Sequence, residues 1–218
     1  MTRPAAIAAW TGEVAGSYAN NSPVYARLAG AASPGEIHSF LLWDARQPDF
    51  WRFLEQWLPK APAGIVRHSL EAHIEEEVSQ DHPGLFRAMM ASLAERFPVP
   101  TPAFDEPVLA GLNYTFSPEC VRDESFDFFC GGFFATEIMA AKRCAQLLEG
   151  LARHGVPAGE LRYLEIHAAN DVTHADQVAD CFLRPLLDLG GNPAEIERGL
   201  RDRLARSERW LRWYEARS

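Results

Sequence analysis

The sequence predicts an all-α fold, and three observations carry this prediction. Apolar residues recur about every 3.6 positions in segments that are separated by short breaks of Pro, Gly, Ser and Asn. No segment alternates apolar and polar residues between hairpin turns, which is the pattern typical of β-strands. Two segments of about thirty residues are apolar on more than one side, as the central helices of a bundle are. We therefore expect a helical bundle that forms a single domain over residues 1–218.

Each helix is predicted from its own apolar spacing and from the residues at its ends. Ser33-Pro34 and Asn192-Pro193 each combine a favourable N-cap residue with proline at the first helical position, and Gly155 follows a predicted C-terminus. The pair Gly131-Gly132 lies inside a long predicted helix, where it would allow another helix or a ligand to approach the backbone closely. The predicted helices cover residues 4–18, 34–43, 48–57, 63–80, 85–97, 106–116, 123–154, 158–189 and 193–216.

Composition and charge exclude several classes of function. The formal net charge is −9, from 30 acidic and 21 basic residues, and such a charge repels nucleic-acid phosphates and anionic lipid headgroups. There is no basic start followed by an apolar run, and no window of about eighteen apolar residues. We therefore expect a soluble protein that binds neither nucleic acid nor membranes. The cysteines lack C-x-x-C spacing and are expected to be buried free thiols in a reducing cytoplasm: Cys120, Cys130, Cys144 and Cys181.

A triplet of metal-ligand residue types lies in the predicted helix 158–189. His167, Asp171 and His174 are spaced i, i+4 and i+7, which places them within a sector of roughly 60° on one face of a helix. Two imidazoles and a carboxylate suit divalent iron, zinc or manganese. One helix can therefore offer three ligands to the same site.

Further ligands are expected on two other helices. On a continuous helix Glu71, Glu75 and His82 share a face, because four and eleven residues approximate one and three turns. Of these we predict Glu75 and His82 as ligands, with Glu71 in reserve or supporting a ligand. Glu137 is an ionisable residue in an apolar helix, where a carboxylate is costly unless a cation compensates it. His68 and His73 are not expected to be ligands, and Glu165 is expected to hold an imidazole N–H group.

The predicted ligand set therefore has three carboxylates and three imidazoles. Its members are Glu75, His82, Glu137, His167, Asp171 and His174. Six protein ligands are too many for one catalytic metal with an open coordination position, and they suit two irons that share a bridging carboxylate. Two ferrous ions against three carboxylates also leave a small net charge. A ferritin-like site would require two Glu-x-x-His pairs, which the sequence does not contain.

The order of these residues resembles the haem-oxygenase-like di-iron oxidase and oxygenase superfamily. Glu75 is followed by six residues and His82, then by Glu137, and then by the H-x-x-x-D-x-x-H element that begins at His167. The resemblance covers about residues 63–181. It implies a haem-oxygenase-like helical bundle without haem, in which two Fe(II) ions react with O2 as co-substrate through a peroxo-di-iron intermediate.

The resemblance also implies the kind of substrate. Members of the superfamily oxidise mainly free amino acids and fatty acids, by desaturation, C–C cleavage, decarboxylation, cyclisation or N-oxygenation. We expect a free amino acid here, because the sequence offers no long apolar tunnel for an acyl chain, with fatty-acid decarboxylation as the alternative. An external electron donor is compatible with this chemistry. The residues expected to line the substrate site are Phe133, Phe134, Tyr163, Asn170 and Cys144.

Other functions remain open at this point. A metal-free enzyme of the thiamin-salvage or quinone-cofactor type would not need the triplet, and a haem oxygenase would need a proximal histidine, for which His38 is the candidate. A non-catalytic bundle would use the polar residues as a buried network. Trp210, Trp213 and Tyr214 in the last predicted helix either form the face of a homodimer or close the core of the chain.

Overall fold

Helices make up nearly the whole of a computed structural model that describes residues 3–44, 50–103 and 105–217. The side chains of Asp44, Asp171 and Val172 also lie outside this description. No strand occurs among the described residues, and the predicted all-α bundle is confirmed. The helices are α1 (Arg3–Gly16), α2 (Tyr18–Asn21), α3 (Pro23–Gly30), α4 (Pro34–Asp44), α5 (Phe50–Trp57), α6 (Ile65–Ser79), α7 (His82–Arg96), α8 (Glu106–Asn113), α9 (Pro118–Asp123), α10 (Phe126–Arg153), α11 (Arg162–Gln177), α12 (Arg184–Asp188) and α13 (Pro193–Glu215).

Shorter elements connect several of these helices. Single 3₁₀ turns occur at Leu58–Lys60, Tyr114–Phe116 and Ala158–Glu160. A π-helix at Val178–Leu183 joins α11 to α12, so the segment predicted as one helix over 158–189 changes its winding after α11. π-Helical turns widen the helix locally and are frequent near functional sites.

Side-chain caps explain where many of the helices begin. Ser33 and Glu36 form a reciprocal capping box before α4, with Glu36 N donating to Ser33 Oγ at 3.2 Å and Ser33 N donating to Glu36 Oε2 at 2.9 Å. Asn192 Oδ1 accepts from Ala194 N at 3.0 Å before α13. Helix α3 was not predicted, although Ser22 caps it and Pro23 begins it, which is the same signal that predicted α4.

A left-handed joint separates α6 from α7. Asp81 has a φ of 49°, and its Oδ1 accepts a hydrogen bond from Gly84 N at 3.1 Å. His82 therefore begins α7 rather than following α6, with Pro83 in the first turn of the new helix. The predicted face shared by Glu71, Glu75 and His82 required a continuous helix, and the joint removes that continuity.

The long helix α10 lies against α13 at a close crossing. A Cβ atom built on Gly131 would stand 1.9 Å from the carbonyl oxygen of Ile196, and one built on Gly199 would stand 1.9 Å from the carbonyl oxygen of Phe128. Since no Cβ fits at such distances, glycine on each helix allows the two backbones to touch. This is the close approach that the Gly131-Gly132 pair predicts.

Two hydrophobic clusters form the core, and α10 contributes to both. The first contains the phenylalanine-rich start of α10, up to Met139, and the second contains Cys144, Leu147 and Leu151 from its later turns. Trp210 and Tyr214 are buried in the second cluster, where both rings contact Phe40. These α13 aromatics therefore close the core of the chain, and the homodimer stays a prediction. Among the described helices, none has the length and apolar character needed to cross a bilayer.

Candidate metal centre

Four helices bring together two groups of three ligand-type side chains. The first triad contains His73 of α6, Glu137 of α10 and His174 of α11, and the second triad contains Glu77 of α6, His82 of α7 and His167 of α11. Within each triad, one ligand-type atom from every residue lies within 4.8 Å of the others. Five of the six side chains are buried, and His167 is partly buried.

The first triad is centred on His174. Its Nδ1 lies 3.6 Å from Glu137 Oε2, and its ring centroid is 4.9 Å from that of His73. On the other side of the ring, Nε2 lies 3.3 Å from Oε1 of Glu76, a half-buried carboxylate. The ring of Phe133 packs edge-on against that of His73, with 5.2 Å between the two ring centroids. The triad therefore has an apolar wall on one side and a supporting carboxylate on the other.

The second triad is built across the joint between α6 and α7. His82 Nδ1 lies 3.0 Å from Glu77 Oε1, its Nε2 lies 3.2 Å from Gln80 Oε1, and its ring centroid is 4.7 Å from that of His167. Burial raises the pKa of the Glu77 carboxyl, whereas the hydrogen bond and charge of His82 and the charge of His167 lower it below its ordinary value. Glu77 is therefore held as a carboxylate, the form that binds metals.

The two triads are neighbours because α6 and α11 each contribute to both. His73 and Glu77 are one turn apart on α6, and His167 and His174 are two turns apart on α11. The charge of His73 contributes to the lowered pKa of Glu77, so the triads also interact electrostatically. Asp171 belongs to the same part of α11, but its side chain lies outside the described residues and its ligation stays a prediction.

The structure brings four of the six predicted ligands together. A fifth, Glu75, is replaced at the site by Glu77. His82, Glu137, His167 and His174 all lie in the triads. Glu75 and the reserve residue Glu71 do not, because both are exposed. Residue 75 is about 200° around α6 from residues 73 and 77, which places it away from the site.

Two residues of the triads were missed or excluded by the sequence analysis. Glu77 was hidden in the run of acidic residues at 75–77, and His73 was expected not to be a ligand. Their spacing of one helical turn is the signal that would have found them together. Glu165 interacts with Arg162 at 3.5 Å in the structure, whereas Glu76, which belongs to neither triad, lies 3.3 Å from the imidazole of His174.

A cavity of about 120 Å³ adjoins both triads. Glu77, Glu137 and His167 form part of its lining, together with Tyr163 and Cys144, which the sequence analysis predicted there. The remaining predicted lining residues are placed elsewhere: Phe133 and Phe134 are buried in the first hydrophobic cluster, and Asn170 is half-buried on α11. The polar lining also includes Arg143, Arg203, Ser207 and Trp210, none of which was predicted there from the sequence.

The donor atoms of each triad suit iron. Two imidazoles and one carboxylate with open positions are the set found in non-haem ferrous oxygenases. Ligand atoms about 2.0–2.2 Å from one metal ion are at most about 4.4 Å apart. Each triad therefore needs only a small closure to hold an ion, and a bound cation would compensate the burial of Glu77 and Glu137.

Comparison with known protein families places most of the chain in a family. The model of a family described as iron-containing redox enzymes, of haem oxygenase type, matches residues 49–208. This range includes every residue of the two triads. A search of the curated proteins found no match.

Proposed function

The chain belongs to the iron-containing redox enzyme family and is an oxidoreductase of the haem-oxygenase-like superfamily, and from this premise we propose that it is a non-haem di-iron oxidase or oxygenase. In this proposal it binds two Fe(II) ions and uses O2 to oxidise a small substrate. The observation that carries the proposal is the pair of adjacent triads, each with two imidazoles and one carboxylate, beside one cavity. A single-iron enzyme would need only one such set.

Each triad would hold one ion. His73, Glu137 and His174 would bind the first, and Glu77, His82 and His167 would bind the second. Bound ferrous ions would supply the electrons that reduce dioxygen. The remaining task of the chain is to position the ligands. Glu76, 3.3 Å from His174 Nε2, orients that imidazole, as carboxylates beyond the metal ligands commonly do.

The cavity supports a small substrate. Its volume of about 120 Å³ compares with the roughly 150 Å³ that suffices to bind benzene in another protein. A free amino acid of modest size is therefore favoured over a long-chain fatty acid, which remains the alternative. The polar lining from α10 and α13 also favours a substrate with charged or hydrogen-bonding groups.

The rival functions receive less support from the geometry. His38 is buried, its Nδ1 lies 2.8 Å from the carbonyl oxygen of Phe97, and it is not among the described residues that line the cavity. It is therefore poorly placed to be the proximal ligand of a haem there. A metal-free enzyme would have no use for two adjacent sets of two imidazoles and one carboxylate beside the cavity.

Iron loading of two α6 variants tests the proposal. Wild-type protein loaded anaerobically with Fe(II) and desalted should retain about two irons per chain by colorimetric assay. Glu77→Gln should lose about half of this iron or more, because it removes the only carboxylate of the second triad. Glu75→Gln is the matched control, since it removes an exposed carboxylate two residues away, and it should retain both irons.

The same preparations then test oxygen use. Wild-type protein and Glu75→Gln should consume O2 faster when a productive amino acid is present, and Glu77→Gln should not. Iron loss from Glu75→Gln with full loading of Glu77→Gln would contradict the assignment of the second triad. A fully active protein that contains no iron would contradict the proposed function as a whole.

A further inference from the structure

The polar residues on one side of the cavity come from two helices and are hydrogen-bond donors. Arg203, Ser207 and Trp210 are spaced i, i+4 and i+7 on α13, so they share the face that lines the cavity. Arg143 of α10 lines the cavity with them. We call these four residues the anchor subsite. None of them belongs to either triad, so the proposed metal chemistry leaves them without a role.

Arg203 is fixed in place before any ligand binds. Only 5% of the residue is exposed, Nε donates to Thr136 Oγ1 at 3.0 Å, and Nη1 donates to the carbonyl oxygen of Leu112 at 2.8 Å. Its guanidinium also lies over the ring of Phe116, 5.1 Å from the centroid. A buried cation held on several sides loses little conformational entropy on binding an anion, which makes it an effective anchor.

Trp210 points independently to a bound ligand. The residue is 3% exposed, and its buried Nε1–H has no hydrogen-bond partner among the described residues. Buried indole N–H groups usually find an acceptor, and an unsatisfied one costs about 1–3 kcal/mol. A ligand oxygen in the cavity that Trp210 lines would supply this acceptor.

The charges around the cavity favour an anionic ligand. Before metal binds, the guanidinium groups of Arg143 and Arg203 match the carboxylates of Glu77 and Glu137 in number. Two ferrous ions would then leave the lining with an excess of positive charge. Guanidinium groups bind carboxylates with two parallel hydrogen bonds, and this geometry discriminates against neutral amides.

We propose that the anchor subsite binds the carboxylate group of the substrate, with Arg203 and Arg143 as the cationic donors and Trp210 as a neutral one. This inference rests on the proposed function for the identity of the reaction, although carboxylate binding itself can be measured separately. Anchoring at the α13 side leaves the rest of a small carboxylic acid, such as a free amino acid, directed towards the remainder of the cavity, where the triads lie.

Calorimetric titration of iron-free and anaerobically iron-loaded protein tests the anchor. The probes are the standard free L-amino acids and the straight-chain carboxylates from acetate to octanoate, and each probe that binds is titrated again as its primary amide. At least one carboxylate should bind, and its amide should bind roughly ten- to a hundredfold more weakly, as expected for loss of a charge-assisted hydrogen bond.

Variants of the chain locate the binding. Arg143→Gln and Arg203→Lys should each weaken carboxylate binding about tenfold or more, and Trp210→Phe should weaken it less because it removes one neutral donor. Arg209→Gln is the matched control, since Arg209 is an exposed arginine on the same helix, and its affinity should equal that of the wild type. If Arg203→Lys fails to fold, Arg143→Gln and Trp210→Phe still decide the question.

The outcomes separate this inference from the proposed function. Equal binding of acids and amides, no binding of any carboxylate, or unchanged affinity in Arg143→Gln and Trp210→Phe would overturn the anchor even if the protein holds two irons. Carboxylate binding that depends on these residues in a protein that retains no iron would support the anchor and contradict the di-iron proposal.

Discussion

The four cysteines lie in different surroundings, and their surroundings determine their reactivity. Cys120, Cys130 and Cys144 are buried, whereas Cys181 in the π-helix is partly exposed. Burial, and after it the negative charge of Glu124, raises the pKa of Cys120 to about 12. Burial also raises the pKa of Cys130 well above its ordinary value. Since the thiolate is the reactive form, burial both shields these thiols and keeps them protonated.

Alkylation of the native protein should therefore begin at Cys181. With iodoacetamide at pH 8 and short reaction times, intact mass spectrometry should show one dominant adduct, which peptide mapping assigns to Cys181. Cys181→Ser should remove that adduct, and unfolding in denaturant should make all four thiols reactive. Modification of Cys120 or Cys130 in the native protein at the same rate as Cys181 would contradict the burial of these two thiols.

At the scale of single residues, the sequence identified some triad residues more readily than others. Glu137, His167 and His174 stood out because each interrupts an apolar stretch or repeats at helical spacing. Glu77 did not, because neighbouring glutamates give the same local pattern and a charge run is usually a solvated face. Which carboxylate of such a run points inward depends on the rotation of α6 against its neighbours, and this is set by tertiary packing.

At the scale of helices, the crossing of α10 and α13 makes a direct prediction. Gly131→Ala places a methyl group 1.9 Å from the carbonyl oxygen of Ile196, so the two backbones must separate. We expect a loss of about 1–3 kcal/mol or more in the free energy of unfolding, measured by denaturant titration.

Gly12→Ala in α1 is the matched control for this variant. No heavy atom lies within 4 Å of its added Cβ, so alanine should stabilise the helix by up to about 1 kcal/mol. Equal effects of the two substitutions would contradict the close crossing. An unchanged stability of Gly131→Ala would do so as well.

Helix boundaries were predictable where the capping side chain is local, whereas the change of helix face across a joint was not. Ser33 and Asn192 mark the starts of α4 and α13 by their own side chains, as predicted. The break between α6 and α7 was predicted, since one predicted helix ends at residue 80 and the next begins at residue 85. His82 was nevertheless expected to share the face of Glu75, and the left-handed backbone of Asp81 moves it off that face.

At the scale of the whole molecule, Glu137 belongs to the helix that contributes to both hydrophobic clusters. The residue is 4% exposed, and its neighbours along α10, Ala135 and Met139, are buried in the first cluster. A cation bound there should therefore stabilise the fold as a unit. At a free Fe(II) concentration about a hundred times Kd, binding contributes about 2.7 kcal/mol, or a rise in Tm of about 5–10 °C for a chain of this length.

Glu137→Gln should lose most of this rise while retaining the shape of the side chain. Thermal unfolding is measured anaerobically with Fe(II) and again after addition of a chelator, which should return the wild type to its iron-free Tm. Glu149→Gln, an exposed position on the same helix, should keep the full rise. An equal Fe(II)-dependent rise in Glu137→Gln would place the ion elsewhere.

The bundle as a whole was predictable because helical periodicity is a local property, and the family match over residues 49–208 agrees with it. The cavity was not predictable in the same way. Its α13 wall is far in sequence from the triads, and Arg203 and Ser207 lie in a helix that reads from sequence as an ordinary amphipathic one. Their contribution depends on the packing of α13 against α10.

The two sides of the cavity are also synthesised at different times, because α13 follows the triad residues in the chain. Both triads are complete once His174 has been translated, whereas the face of α13 that contains Arg203 and Trp210 emerges later from the ribosome. All triad residues are therefore present in the nascent chain before the surface of α10 around Gly131 can pack against α13. Truncation before α13 would keep all of the triad residues and remove Arg203, Ser207 and Trp210 from the cavity lining.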